Sequence, residues 1–102
     1  MKFLCHVGDV AAGAAKRIEV EGRAPLAVFN VGDDFFVTDD ICTHGEASLC
    51  DGELDGHEVE CPYHQGAFDI RTGKALSAPC SVPLRVYPVR LVEGRVMARV
   101  EE

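Results

Sequence analysis

Four side chains in this 102-residue chain could hold metal, and they arrive as two matched pairs. Cys42-Thr43-His44 is followed by Cys61-Pro62-Tyr63-His64. Thiolate and neutral imidazole suit soft or borderline metals such as zinc and iron. A zinc finger usually groups its cysteines first and its histidines later. Here each loop contributes one of each, which lets two cysteines hold one metal and two histidines a second metal close by. His6 and His57 have no such partners in sequence and are expected to be exposed strand or turn residues.

An asymmetric metal pair of this kind occurs in the Rieske [2Fe–2S] centre, where two histidines replace two cysteines on one iron. The flanking residues sharpen the likeness. Cys42-Thr43-His44-Gly45 and Cys61-Pro62-Tyr63-His64-Gln65-Gly66-Ala67-Phe68-Asp69 resemble the two ligand loops of Rieske-type proteins. Arg71-Thr72-Gly73 and Pro79 fit the same pattern. The resemblance spans residues 1–102 and is strongest toward the small Rieske ferredoxins of bacterial aromatic-ring-hydroxylating dioxygenase systems.

That resemblance implies one [2Fe–2S] cluster. Cys42 and Cys61 would ligate the inner iron as thiolates, and His44 and His64 the outer iron through one ring nitrogen each. Pro79 would belong to a third loop covering the cluster. The implied role is a one-electron carrier, not an enzyme. It would take electrons from an NAD(P)H-dependent flavin reductase and pass them to a terminal Rieske oxygenase in aromatic hydrocarbon degradation. Ala47 and Tyr63 stand where high-potential relatives carry two further cysteines joined as a disulfide, so that bridge cannot form. Gly66 and Phe68 stand where those relatives carry hydroxyls bonded to cluster sulfurs. Each missing donor leaves the reduced state less stable, which implies a potential near the lower end of the Rieske range, about −150 mV.

The elements that must position these loops read as short strands between turns. Pro25 to Val31 and Phe35 to Thr38 flank Gly32-Asp33-Asp34, and Leu54 and residues 57–60 flank Asp55-Gly56. Phe68 to Ile70 and Lys74 to Leu76 flank Arg71-Thr72-Gly73, and Leu84 to Val92 and Arg95 to Val100 flank Glu93-Gly94. These are hairpin signals. Alternation in Arg95-Val96-Met97-Ala98-Arg99-Val100 predicts a strand with one buried face. Ala11 to Ala15 has helical composition, but Gly13 makes it a loop or single turn. The fold class expected is all-β: an antiparallel sandwich or barrel-like base in one domain, 1–102, with a cluster-binding subdomain at about residues 41–80. Gly45, Gly66 and Gly73 are expected to let the backbone approach the cluster or to adopt positive φ.

Composition excludes several classes. The net charge is −7 and the basic residues do not cluster, which argues against nucleic acid. It fits docking to basic patches on partner proteins, as well as plain solubility. No apolar run approaches membrane-spanning length, and the N-terminus lacks a signal-peptide pattern, so a cytoplasmic monomer is expected. Of five cysteines, Cys5, Cys50 and Cys80 remain after the two candidate ligands, and small buried apolar roles are expected for them. Two other readings are open at this level: a small Rieske-like subunit of a nitrite-reductase-like complex, and a structural zinc module.

Overall fold

The structure, a computed structural model, describes residues 1–43, 45–63, 66–78 and 80–100. Ten short strands and two 3-10 turns, at Val7–Asp9 and Leu49–Asp51, make up its regular elements. The strands are β1 (Lys2–His6), β2 (Ala15–Ile18), β3 (Leu26–Val31), β4 (Asp34–Asp39), β5 (Glu53–Asp55), β6 (Glu58–Glu60), β7 (Ala67–Asp69), β8 (Val86–Tyr87), β9 (Val89–Val92) and β10 (Arg95–Ala98). They form three antiparallel sheets, ordered β1-β10-β9, β2-β3-β4-β8 and β5-β6-β7. The first two are the base, and the third carries the second candidate ligand loop.

Strand β3 joins the parts, because Leu26 through Asn30 are buried without a break. Successive side chains leave a strand on opposite faces. Leu26 and Val28 join Leu4, Val10, Val37, Val96 and Ala98 in the core between the two base sheets. Ala27 and Phe29 join Cys42, Leu49, Val59, Cys61, Phe68, Ile70 and Cys80 in a second core. One apolar run therefore fastens the ligand-bearing part to the base. Phe68 lies fully buried in that second core, as a core residue should.

Of three hairpin turns, one is tighter than the sequence reading, one is as read, and one is shifted by a residue. Val31 pairs with Asp34, leaving Gly32 and Asp33 as a two-residue turn with both φ positive (57° and 73°). Glu93 and Gly94 do the same between β9 and β10 (51° and 77°). That is the primed turn whose twist matches the flanking strands. Asp55 pairs with Glu58, so the turn between β5 and β6 is Gly56-His57, one residue later than Asp55-Gly56.

Other expectations need correction. Leu84 to Val92 is not one strand. Pro88 lacks the N–H a ladder needs, and the chain changes sheets there: β8 pairs with β4, β9 with β10. Residues 74–76 contribute only an isolated bridge, Ala75 to Phe68. The segment 11–15 is a turn that enters β2 at Ala15. Gly73 meets the expectation of positive φ, at +83°, and its close neighbour is the Leu84 carbonyl oxygen, 1.9 Å from where a Cβ would lie.

Candidate metal centre

Three segments converge on the buried thiols. The first, residues 41–48, is closed at its base by the Ile41–Ser48 bridge and by Cys42 N–H donating to the Ala47 carbonyl at 2.9 Å. The second connects β6 to β7 and is closed by Cys61 N–H donating to the Gly66 carbonyl at 2.8 Å. The third follows β7. Leu76 N–H donates to the Ala67 carbonyl at 2.7 Å, Ala67 N–H to Ser77 Oγ at 3.1 Å, and Cys80 N–H to the Ser77 carbonyl at 3.1 Å. Thr43 Oγ1 ties the first segment to the third by donating to the Val82 carbonyl at 2.8 Å.

Cys42 and Cys61 are 2% and 1% exposed, so the structure brings both candidate thiol ligands into one core. His44 and His64, the imidazole candidates, and Pro79 lie outside the described residues. His6 is exposed at the end of β1, as expected. His57 is half-buried with its ring edge-on to Phe36 at 5.4 Å, a packing role. Ala47 is buried and Tyr63 is 75% exposed, on loops that carry no bridge between them.

Two residues beside the candidate ligands make contacts that the sequence reading did not assign. Asp40, two positions before Cys42, is completely buried. Its carboxylate accepts from Ser48 Oγ at 2.6 Å and from Cys50 N–H at 3.1 Å, and lies 3.3 Å from the Arg17 guanidinium. Its own carbonyl accepts from Leu49 N–H at 2.7 Å. The carboxylate thus pins the far end of the first loop to its start. Asp40→Asn keeps the shape but gives up one acceptor oxygen and the charge. It should destabilise the protein by about 1–2 kcal/mol, read as a lower urea midpoint with unchanged slope. An unmoved midpoint would remove the anchoring role.

The second is Cys80. It is buried in the second core, as expected, and its Sγ also lies 3.9 Å from Cys42 Sγ. Burial, with the Cys42 sulfur next in size, pushes its thiol up to about 11. Burial also pushes up Cys50, which is hydrogen-bonded to Asp40, and Cys5. All five cysteines are thiols, with no disulfide among them. Gly66 is where the second and third segments touch: a Cβ there would lie 2.4 Å from Cys80 Sγ and 3.0 Å from the Cys80 backbone nitrogen. That close approach is enough to demand glycine.

Among the described residues no three metal-binding side chains form a group; the candidate donors they include are the two thiols. No helix there is long and apolar enough to cross a membrane.

Short antiparallel sheets holding two buried thiols on adjoining loops, each followed in sequence by a histidine, define a small iron–sulfur domain. The chain belongs to the Rieske family: the model for the Rieske [2Fe-2S] domain matches residues 1–88. It is 48% identical to ferredoxin CarAc of Metapseudomonas resinovorans, over 97% of this chain and 92% of that protein. It is 51% identical to the ferredoxin component of the p-cumate 2,3-dioxygenase system of Pseudomonas putida, over 95% of this chain and 83% of that one. Among solved structures it matches a chain in the complex of reduced oxygenase and oxidized ferredoxin in carbazole 1,9a-dioxygenase. There the TM-score is 0.91 and the identity 48%, over 95% of this chain and 99% of that one. The cofactor is a Rieske-type [2Fe–2S] cluster. The residues present fit it: the two thiols have the chemistry of the inner-iron donors, and the bare Cα of Gly66 keeps the third segment close against them.

Proposed function

We propose that this protein is the one-electron carrier of an aromatic-ring dioxygenase system. It takes electrons from an NAD(P)H-dependent flavin reductase and delivers them to a terminal Rieske oxygenase, acting as a cytoplasmic monomer. The observation that carries this reading is the near-full-length identity to ferredoxin components of such systems, joined to the buried Cys42 and Cys61 pair. Cys42 and Cys61 are assigned to the inner iron, His44 and His64 to the outer iron, and residues 41–80 to the cluster-binding subdomain. When bound, the cluster supplies a site that accepts and releases one electron.

The chain's own contribution is exclusion, rigidity and docking. Burial of Cys42 and Cys61 keeps water from the inner donors. The backbone clasps at Cys42–Ala47 and Cys61–Gly66 and the Thr43 hydroxyl on the Val82 carbonyl hold the loops in one geometry, so little reorganisation accompanies electron transfer. Tyr63 in the second loop and Val82 in the third segment are both exposed, at 75% and 57%, and offer a partner apolar contact beside the centre.

Charge supports steering. Leu54 and Val59 oppose each other on one face of the third sheet, and Glu53, Glu60, Asp55 and Glu58 pair across the other. Like charges directly opposite are destabilising. A basic partner surface brought against that face relieves the repulsion and speeds encounter.

The test is stopped-flow reduction by an NADH-loaded flavin reductase of such a system, followed by reoxidation by its terminal oxygenase. Both steps should proceed, and the reduction rate should fall as salt is raised past about 0.1 M, where the Debye length drops to about 10 Å. Failure of both steps with a fully loaded protein would overturn the carrier role. A rate independent of ionic strength would remove only the steering.

A further inference from the structure

The described residues place a third thiol against a candidate ligand. Cys80 Sγ stands 3.9 Å from Cys42 Sγ, within reach of a sulfur-to-sulfur hydrogen bond. Geometry alone leaves the donor open, but chemistry does not. A metal-bound cysteine sulfur carries no proton and can only accept, so the shared proton belongs to Cys80. We propose that the Cys80 thiol donates a hydrogen bond to the Cys42 sulfur in the cluster-loaded protein and makes the cluster easier to reduce. The inference rests on the assignment of Cys42 as an inner-iron ligand.

Several features hold the donor in place. Cys80 is 5% exposed, so water does not compete for its proton. Its backbone N–H is fixed to the Ser77 carbonyl at 3.1 Å, and the segment beyond it is tied to the first ligand loop through Thr43 and Val82. Its sulfur fills the space that a side chain at residue 66 would take, 2.4 Å from an ideal Cβ there. Gly66 therefore makes room for this thiol. A hydrogen bond to a ligand sulfur draws electron density from it and favours the more negative, reduced state. Thiols are weak donors, so the effect is that of a single modest bond.

The test is a redox titration of three loaded variants beside the unaltered protein, with iron content read for each. Cys80→Ala removes the donor. The equilibrium constant for its reduction should fall about two- to tenfold, the equivalent of roughly 0.5–1.5 kcal/mol, or about 20–60 mV at ~59 mV per tenfold for one electron. Cys80→Ser keeps a donor and should stay within about twofold of the unaltered protein, or above it, on the same scale. Should Cys80→Ala not retain the cluster, Cys80→Val serves as the donor-free variant. An unchanged potential in the donor-free variant would overturn the inference. So would an equal fall in alanine and serine variants, because packing would then be the cause. Loss of the cluster in Cys80→Ser would also overturn it, since a thiol that only donates is replaceable by a hydroxyl and a ligand is not. Cys42→Ala separates the two readings: a full cluster in that variant removes the ligand assignment itself, whatever the Cys80 variants do.

Discussion

Alanine at position 64 should give a colourless protein that retains its base but no stable cluster. The same holds for His44→Ala, Cys42→Ala and Cys61→Ala. Alanine offers no donor, and a cluster held by three ligands has an open iron. Ligation energy is also folding energy for the loops that supply it, so the effect should not stop at the spectrum. The core between the two base sheets involves none of the candidate ligands. The core around Phe68 contains both Cys42 and Cys61. Amide exchange should therefore accelerate across residues 41–80 while β1 to β4 and β8 to β10 stay protected. His6→Ala and His57→Ala are the controls. The first sits exposed, the second packs on Phe36, and both should keep the full visible spectrum. A normal cluster in His64→Ala would mean that the ligand set is wrong.

Gly66→Ser should be strongly damaging although it replaces no candidate ligand. The Cβ it introduces would lie 2.4 Å from Cys80 Sγ and 3.0 Å from the backbone nitrogen of the same residue. The third segment cannot yield freely, because Ser77 and Val82 tie it to β7 and to the first loop. Overpacking of this kind should lower stability by about 2–3 kcal/mol, and the displaced segment should cost the protein most of its cluster during purification. Adding Cys80→Ala removes the nearer clash and leaves those with the Cβ and backbone nitrogen of residue 80, both at 3.0 Å. The double variant should therefore recover part of the stability and most of the iron. Recovery is the informative result, because additive losses would show that the two residues do not share this space. The serine hydroxyl that the family resemblance suggested as a potential-raising donor therefore cannot be introduced alone here.

The buried cysteine pair and most strands were legible because their signals are local. Paired Cys and His spacings announce a metal, and alternation from Arg95 onward announces β10. β1 escaped notice because a bulge between Phe3 and Cys5 puts Leu4 and Cys5 inward in succession, which destroys the period of two. β2 is short, with Lys16 and Arg17 exposed at its middle, the charged pattern of a protected edge strand. The run from Leu84 to Val92 read as one strand because it opens on the alternation Leu84-Arg85-Val86-Tyr87, whereas Pro88 hands it from one sheet to another. Cys80 and Asp40 were missed for a different reason. Cys80 acquires its meaning from Cys42 and Gly66, residues distant in sequence. Asp40 acquires its meaning from a loop that folds back eight and ten residues later onto its carboxylate. Nothing in the residue types alone signals either contact.

The claim on which everything else depends is that two histidines and two cysteines hold one cluster. Pulsed EPR of the reduced protein, prepared with ¹⁵N-labelled histidine and unlabelled otherwise, addresses it directly. Two strongly coupled ¹⁵N nuclei are expected, on a rhombic signal whose average g lies below that of clusters held by four cysteines, from a sample with about two irons and two acid-labile sulfides per chain. A reduced cluster without histidine nitrogen coupling, or a colourless protein with stoichiometric zinc, would contradict it.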